Sequence, residues 1–124
     1  MAAKTESQYL ADWLKFEEDN LYSRDQVTVA SGQNLKTGTV VGIITASGKV
    51  TQLAPSANDG SENAAGVLVG DVDASAGDTP GAILARHAIC SDKGLVWPSG
   101  ITGPQKNTAL GQLKALGILV REGA

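Results

Sequence analysis

Lys93-Gly94-Leu95-Val96-Trp97-Pro98 opens the stretch on which the fold turns, and Gly117-Ile118-Leu119-Val120 closes it. Between them lie a Gly/Pro-rich turn and a segment that carries both start and stop signals of a short helix. Pro104 suits the first helical position, where its missing N–H costs nothing. Ala109, Leu110 and Leu113 make one face at helical spacing, and Leu116 extends it. Gly117 can take the positive φ that stops a helix. The spacing therefore predicts a strand ending in Trp-Pro, a small helix and a last short strand.

Upstream of this stretch the pattern is β. Gln26-Val27-Thr28-Val29-Ala30 alternates with period two, and turns follow at Ser31–Asn34 and Leu35–Gly38. Thr39 to Thr45 is a β-rich run, and Ser47-Gly48 turns it into Lys49–Leu53 as a hairpin partner. Ala54 to Ala64 is a small-residue loop, and Asp73 to Thr79 is a second polar one. Ala65 to Asp71 reads as a strand buried on both faces, because its apolar run does not alternate. Gly81 to Cys90 is the next strand region, and Ser91–Gly94 turns into Leu95–Trp97. The expected fold is mainly β with one short C-terminal α-helix, a single domain over residues 23–124.

The first 22 residues differ from the rest. Tyr9, Trp13, Phe16 and Tyr22 lie there, and Trp97 is the sole aromatic after them. Tyr9, Leu10, Trp13, Leu14 and the stem of Glu17 fall on a helical stripe that Thr5 or Ser7 could cap. We expect a short helix continuing as extended chain through Leu21-Tyr22; the alternative is an extended arm with Leu14 and Phe16 on one face. Large anchors gathered in a terminal segment fit docking, onto this domain or onto a partner.

Composition excludes several classes. The 124 residues are 42% hydrophobic but only 4% aromatic, and 15 glycines suit a turn-rich β domain. A net charge of −3 argues against nucleic-acid binding, which needs a basic face. Cys90 is the only cysteine, so no disulfide forms within the chain and a reducing compartment is expected. No apolar run is long enough for a membrane span, and no apolar segment after Lys4 resembles a secretory signal.

No catalytic constellation is legible, and no metal or cofactor site is expected. His87 is read as a mid-strand residue, and the odd spacing to Cys90 puts the two on opposite faces of a strand. Asp71, Asp73 and Asp78 cluster around one loop without the spacing of a calcium loop, and are read as turn residues. Lys49 follows Ser47-Gly48 but lacks the first glycine and the helix of a phosphate loop. Gly66 to Asp73 is weakly similar to the strand-plus-Asp motif of trimeric deoxyuridine triphosphatases, without their phosphate-binding or lid motifs.

The order of several motifs together resembles the lambda-type bacteriophage head decoration proteins. These motifs are Ser23–Gly32, Leu35–Gly42, the hairpin at Gly48-Lys49, Ala64–Leu68 leading into Asp71–Ala74, Arg86, Leu95–Pro98, and the helix with Gly117-Ile118. The resemblance spans about residues 23 to 120, leaving residues 1–22 as an N-terminal arm. It implies a β-clip-like single domain, a homotrimer at threefold sites on the outer surface of a phage head, and a cementing role without catalysis. It implies the major capsid protein as partner, and a virion protein made in the host cytoplasm. The arm residues Tyr9, Leu10, Trp13, Leu14, Phe16, Leu21 and Tyr22 are then the expected capsid anchors, with Trp97 and Pro98 in the core or the trimer interface. The alternatives are a deoxyuridine triphosphatase-like trimeric β enzyme, or a displayed receptor- or glycan-binding module with Trp97 as its platform.

Overall fold

The computed structural model describes residues 13–17 and 23–122. Strand β1 (Leu14–Glu17) is followed by β2 (Arg24–Val29), β3 (Asn34–Leu35), β4 (Val40–Ile43), β5 (Val50–Gln52), β6 (Gly66–Leu68), β7 (Val72–Asp73), β8 (Thr79–Leu84) and β9 (Ala88–Ser91). Helix α1 (Gly103–Ala115) and strand β10 (Ile118–Arg121) complete the order. Strands β2, β5, β4, β6 and β8 close into a barrel, β1, β9 and β10 form a sheet with β9 in the centre, and β3 pairs with β7.

The barrel wall is apolar on both sides, as the unbroken runs require. Val40, Val67 and Leu84 face one apolar cluster, shared with Trp13, Leu53, Cys90, Ala109, Leu113 and Ile118. Their neighbours Val41, Leu68 and Ile83 face a second cluster with Val29, Leu35, Val50 and Val72. This is strand alternation read out as two cores, one inside the barrel and one between barrel, helix and sheet. Close approach fixes two glycines in the wall. A Cβ on Gly42 would collide with the Ser61 backbone, and one on Gly66 with the Leu84 carbonyl.

The hairpin expected across Ser47-Gly48 forms, with Val41, Gly42 and Ile43 opposite Gln52, Thr51 and Val50. Helix α1 also forms, and its start is set by a reciprocal cap that the glycines and prolines of the turn concealed. Gln105 N–H donates to Thr102 Oγ1 at 3.2 Å, and Thr102 N–H donates to Gln105 Oε1 at 3.0 Å. Gly117, at φ 85, ends the helix and releases the chain into β10, which runs parallel to β9.

Four expectations are revised. The stripe from Trp13 to Glu17 is not helical: Leu14–Glu17 is extended and pairs antiparallel with β9, with a bulge between Leu14 and Phe16. The Gly81–Cys90 run is two strands, because His87 takes a left-handed φ of 53 and turns the chain between β8 and β9. Leu95–Trp97 is not a regular strand; a 3-10 turn at Asp92–Gly94 precedes it, and only a bridge from Val96 to Thr39 remains. Leu116 does not extend the buried helical face; it is the C-cap and is exposed.

Candidate functional site

Trp13 is the largest fully buried side chain among the described residues. Its indole Nε1 donates to Thr37 Oγ1 at 2.9 Å, and its carbonyl accepts from Ser91 N–H at 2.7 Å. Thr37 is itself fixed, its hydroxyl donating to the Val69 carbonyl at 2.6 Å and its N–H to Asp71 Oδ1 at 2.8 Å. The residue expected to be an exposed anchor is thus wedged between β9 and the loops before β4 and β7. A core otherwise built from aliphatic side chains gains its volume from this one ring.

The remaining arm residues separate in space. Leu14 is half-buried and packs on the same cluster as Trp13. Phe16 is 52% exposed and points away from that cluster. Tyr9, Leu10, Leu21 and Tyr22 lie outside the described residues. Because β1 is hydrogen-bonded into the β9 sheet, residues 13–17 are built into the domain and do not stand apart from residues 23–124.

Trp97 and Pro98 are half-buried, with Trp97 packed against the cluster that holds Trp13. Lys106 Nζ stands 5.3 Å from the Trp97 ring centre, a cation–π distance. Trp97 Nε1 is buried and has no hydrogen-bond partner, alone among the buried polar side-chain atoms of the described residues. A ring with one face under a lysine and its edge in the core does not make an open stacking platform.

The side chains that carry chemistry are occupied structurally. Burial pushes the Cys90 thiol up to about 12, which makes it a small apolar filler at neutral pH. His87 is exposed on its turn, while Cys90 is buried in β9. Asp73 Oδ1 accepts from both Ser75 Oγ and Ser75 N–H, and these bonds hold its carboxyl below the usual range. Asp78 is likewise held low by Lys49 and by Ser31 N–H, so Lys49 serves as the ion-pair partner of this turn at 2.6 Å. Asp71 ties the Thr37 loop. Among the described residues no group of acidic, His or Cys side chains could hold a metal ion. No helix among them is long and apolar enough to cross a membrane.

The architecture is therefore a small β-barrel domain whose polar side chains tie down loops. The family model described as bacteriophage lambda head decoration protein D matches residues 3–118, and the chain belongs to that family. Its role is the decoration of a phage capsid, a structural one, and its place is the virion. The match begins at residue 3, so the N-terminal segment lies within the family pattern and not outside it as the sequence reading had it. No curated protein matches the chain.

Proposed function

We propose that the chain acts as a homotrimer that seats on threefold sites of an expanded phage head and cements them, with the major capsid protein as its direct partner. The residues before Trp13, with Tyr9 and Leu10, carry the capsid contact as an added strand or packing surface, and Leu21 and Tyr22 belong to the same contact. The observation that carries this reading is the family match across residues 3–118, which takes in the segment ahead of the domain core. Burial of Trp13 supports it further, because it gives that segment a fixed root. Three rooted segments per trimer bind with an effective concentration no single one reaches, so modest contacts yield a lasting complex.

The test is removal of residues 1–12 with Trp13 kept. The truncated chain is expected to melt like the full chain and to bind expanded shells more weakly by about 100-fold or more. Undiminished shell binding would overturn the assignment of the capsid contact to residues 1–12. A copy number on saturated shells that is not in threes per site would overturn the trimer.

A further inference from the structure

The loop between β5 and β6 carries Asp59-Gly60, the one Asp-Gly pair of a sequence that has no Asn-Gly pair. An aspartate before glycine is a place where a chain can attack itself, because no Cβ on the glycine keeps its nitrogen from the carboxyl carbon. The Gly60 nitrogen adds to Asp59 Cγ and closes a five-membered imide. One carboxyl oxygen leaves as water, taking the Gly60 amide proton and one proton from solvent. Water then adds to the former backbone carbonyl carbon and breaks its bond to nitrogen. The chain now runs through Cβ and Cγ of Asp59, as an isoaspartate of unchanged mass. The displaced carbonyl becomes a free carboxylate and returns one proton to solvent, so no oxidant, reductant or co-reactant is needed.

The fold cannot dispense with this glycine. Gly60 has φ +105, and a Cβ there would collide with Thr45 Oγ1 and the Ile43 carbonyl. The labile pair therefore stays, and the loop around it restrains both reacting partners. The peptide unit between Asp59 and Gly60 is bonded at both ends: its carbonyl accepts from Thr45 N–H at 2.9 Å, and its N–H donates to Glu62 Oε1 at 2.8 Å. The carboxyl is held on Ser61, with Oδ1 accepting from Ser61 Oγ at 2.5 Å and from Ser61 N–H at 3.0 Å. Those bonds, the hydroxyl foremost, also keep the Asp59 carboxyl ionised to below its usual range, and a carboxylate is a poor electrophile. Ser61 is itself buried, and its carbonyl accepts from Ala54 N–H at 3.0 Å. Helix α1 pins the far end of the loop, where Gln112 accepts from Ala64 N–H at 2.7 Å and donates to Asn63 Oδ1 at 2.8 Å. Asp73 offers a comparison within the chain: its Oδ1 accepts the same two bonds from Ser75, but alanine follows it.

We infer that Asp59-Gly60 is a latent modification site, which Ser61 and Glu62 keep closed in the folded chain and which converts to isoaspartate when the β5–β6 loop opens. The conversion adds one carbon to the backbone and moves the carbonyl that Thr45 N–H binds, so a reacted loop cannot re-form its bonds at the end of β4. A protein of the virion is not replaced by new synthesis, and the closed loop preserves a copy that has to last as long as the particle.

Ageing of the purified full chain in neutral buffer tests it, with isoaspartate located by peptide mapping and counted by enzymatic methylation. The same chain unfolded in urea gives the unprotected rate, and there isoaspartate should gather at Asp59 and not at Asp73. The native chain should react more slowly by about tenfold or more, the factor being set by how rarely the loop opens. Ser61→Ala and Glu62→Ala should each speed the native reaction several-fold. Val29→Ala lowers stability in a cluster that holds no residue of this loop, and should leave the rate at the wild-type value. If Ser61→Ala does not fold, Glu62→Ala alone decides. A native chain that reacts as fast as the unfolded one, or an Asp73 that reacts as readily as Asp59, overturns the inference. So does acceleration by neither loop variant, or an equal acceleration by Val29→Ala.

Discussion

Trp13→Ala separates a residue that holds the domain together from one that only grips a partner. The indole is fully buried, and its loss opens a cavity between β9, α1 and the barrel wall. Truncating a buried tryptophan to alanine costs about 3–5 kcal/mol. Thr37 Oγ1 also loses its indole donor, although its own bond to the Val69 carbonyl persists. For a chain of this length one kcal/mol displaces the melting temperature by about 4 °C, so a fall of about 12–20 °C is expected. A cost of that size is also a large part of the about 5–15 kcal/mol that stabilises most domains. Thermal unfolding followed by circular dichroism, at matched protein concentration, reads the shift. Trp13→Phe should fall between the two, since it keeps most of the apolar volume and loses the hydrogen bond to Thr37. A Trp13→Ala melt within about 2 °C of the wild-type value, joined to weakened shell binding, would refute the core assignment and return Trp13 to the capsid contact.

Two further outcomes follow from the same cluster. Trp97→Phe should be unusually mild, destabilising by less than about 1 kcal/mol or even stabilising, because it removes a buried N–H that has no acceptor and whose desolvation costs about 1–3 kcal/mol; a loss above about 3 kcal/mol in a urea titration would show that the indole N–H is satisfied in the folded protein. Cys90 should resist a thiol reagent at pH 7.5 until the chain is unfolded. Its folded-state pKa of about 12 lies above the unfolded value, so the unfolded chain releases the thiol proton first and this group's contribution to stability falls as pH rises from about 9 towards 12. Rapid labelling of the native protein, or stability that climbs with pH across that window, would contradict it.

Legibility in the sequence followed the range of the interaction. The β4–β5 hairpin was visible because its turn and both strands are contiguous, and α1 because Pro104 and Gly117 punctuate it. The Thr102–Gln105 cap obeys a local rule as well, and the spacing of those two residues was the signal that went unused. Trp13 misled because Tyr9, Leu10, Trp13 and Leu14 happen to fit a helical period, while the bulge between Leu14 and Phe16 breaks the alternation that would have marked a strand. What decides its conformation is β9, more than seventy residues away in sequence, as the pairing of Leu14 with Cys90 shows. Pairing of the two-residue strands β3 and β7, and closure of the barrel, are long-range in the same way. The turn at His87 was hidden because a residue other than glycine at positive φ is uncommon, so an apolar run with no glycine or proline at the break read as one strand. The sequence grouped Trp13 and Phe16 on one segment but did not show that the first faces inward and the second outward, since burial depends on those distant partners.

The position of β9 between the first and last strands has a consequence for synthesis. The barrel strands β2 to β8 run from Arg24 to Leu84 and pair with one another, so a growing chain can close them unaided. The central sheet cannot form until Ile118–Arg121 has been made, because β10 supplies one of the two flanks of β9. Until then the outer wall of the barrel, with Val40, Val67 and Leu84, lacks the Leu113 and Ile118 side chains that cover it. At ribosomal rates of about 5–20 residues per second, that apolar surface stays open for a few seconds on every nascent chain. A message cut short before Ile118 would yield a chain that never loses it, and such a product would be recognisable to chaperones and proteases by that surface alone. Placing β10 against the centre of the sheet thereby makes synthesis through Arg121 a condition for leaving quality control.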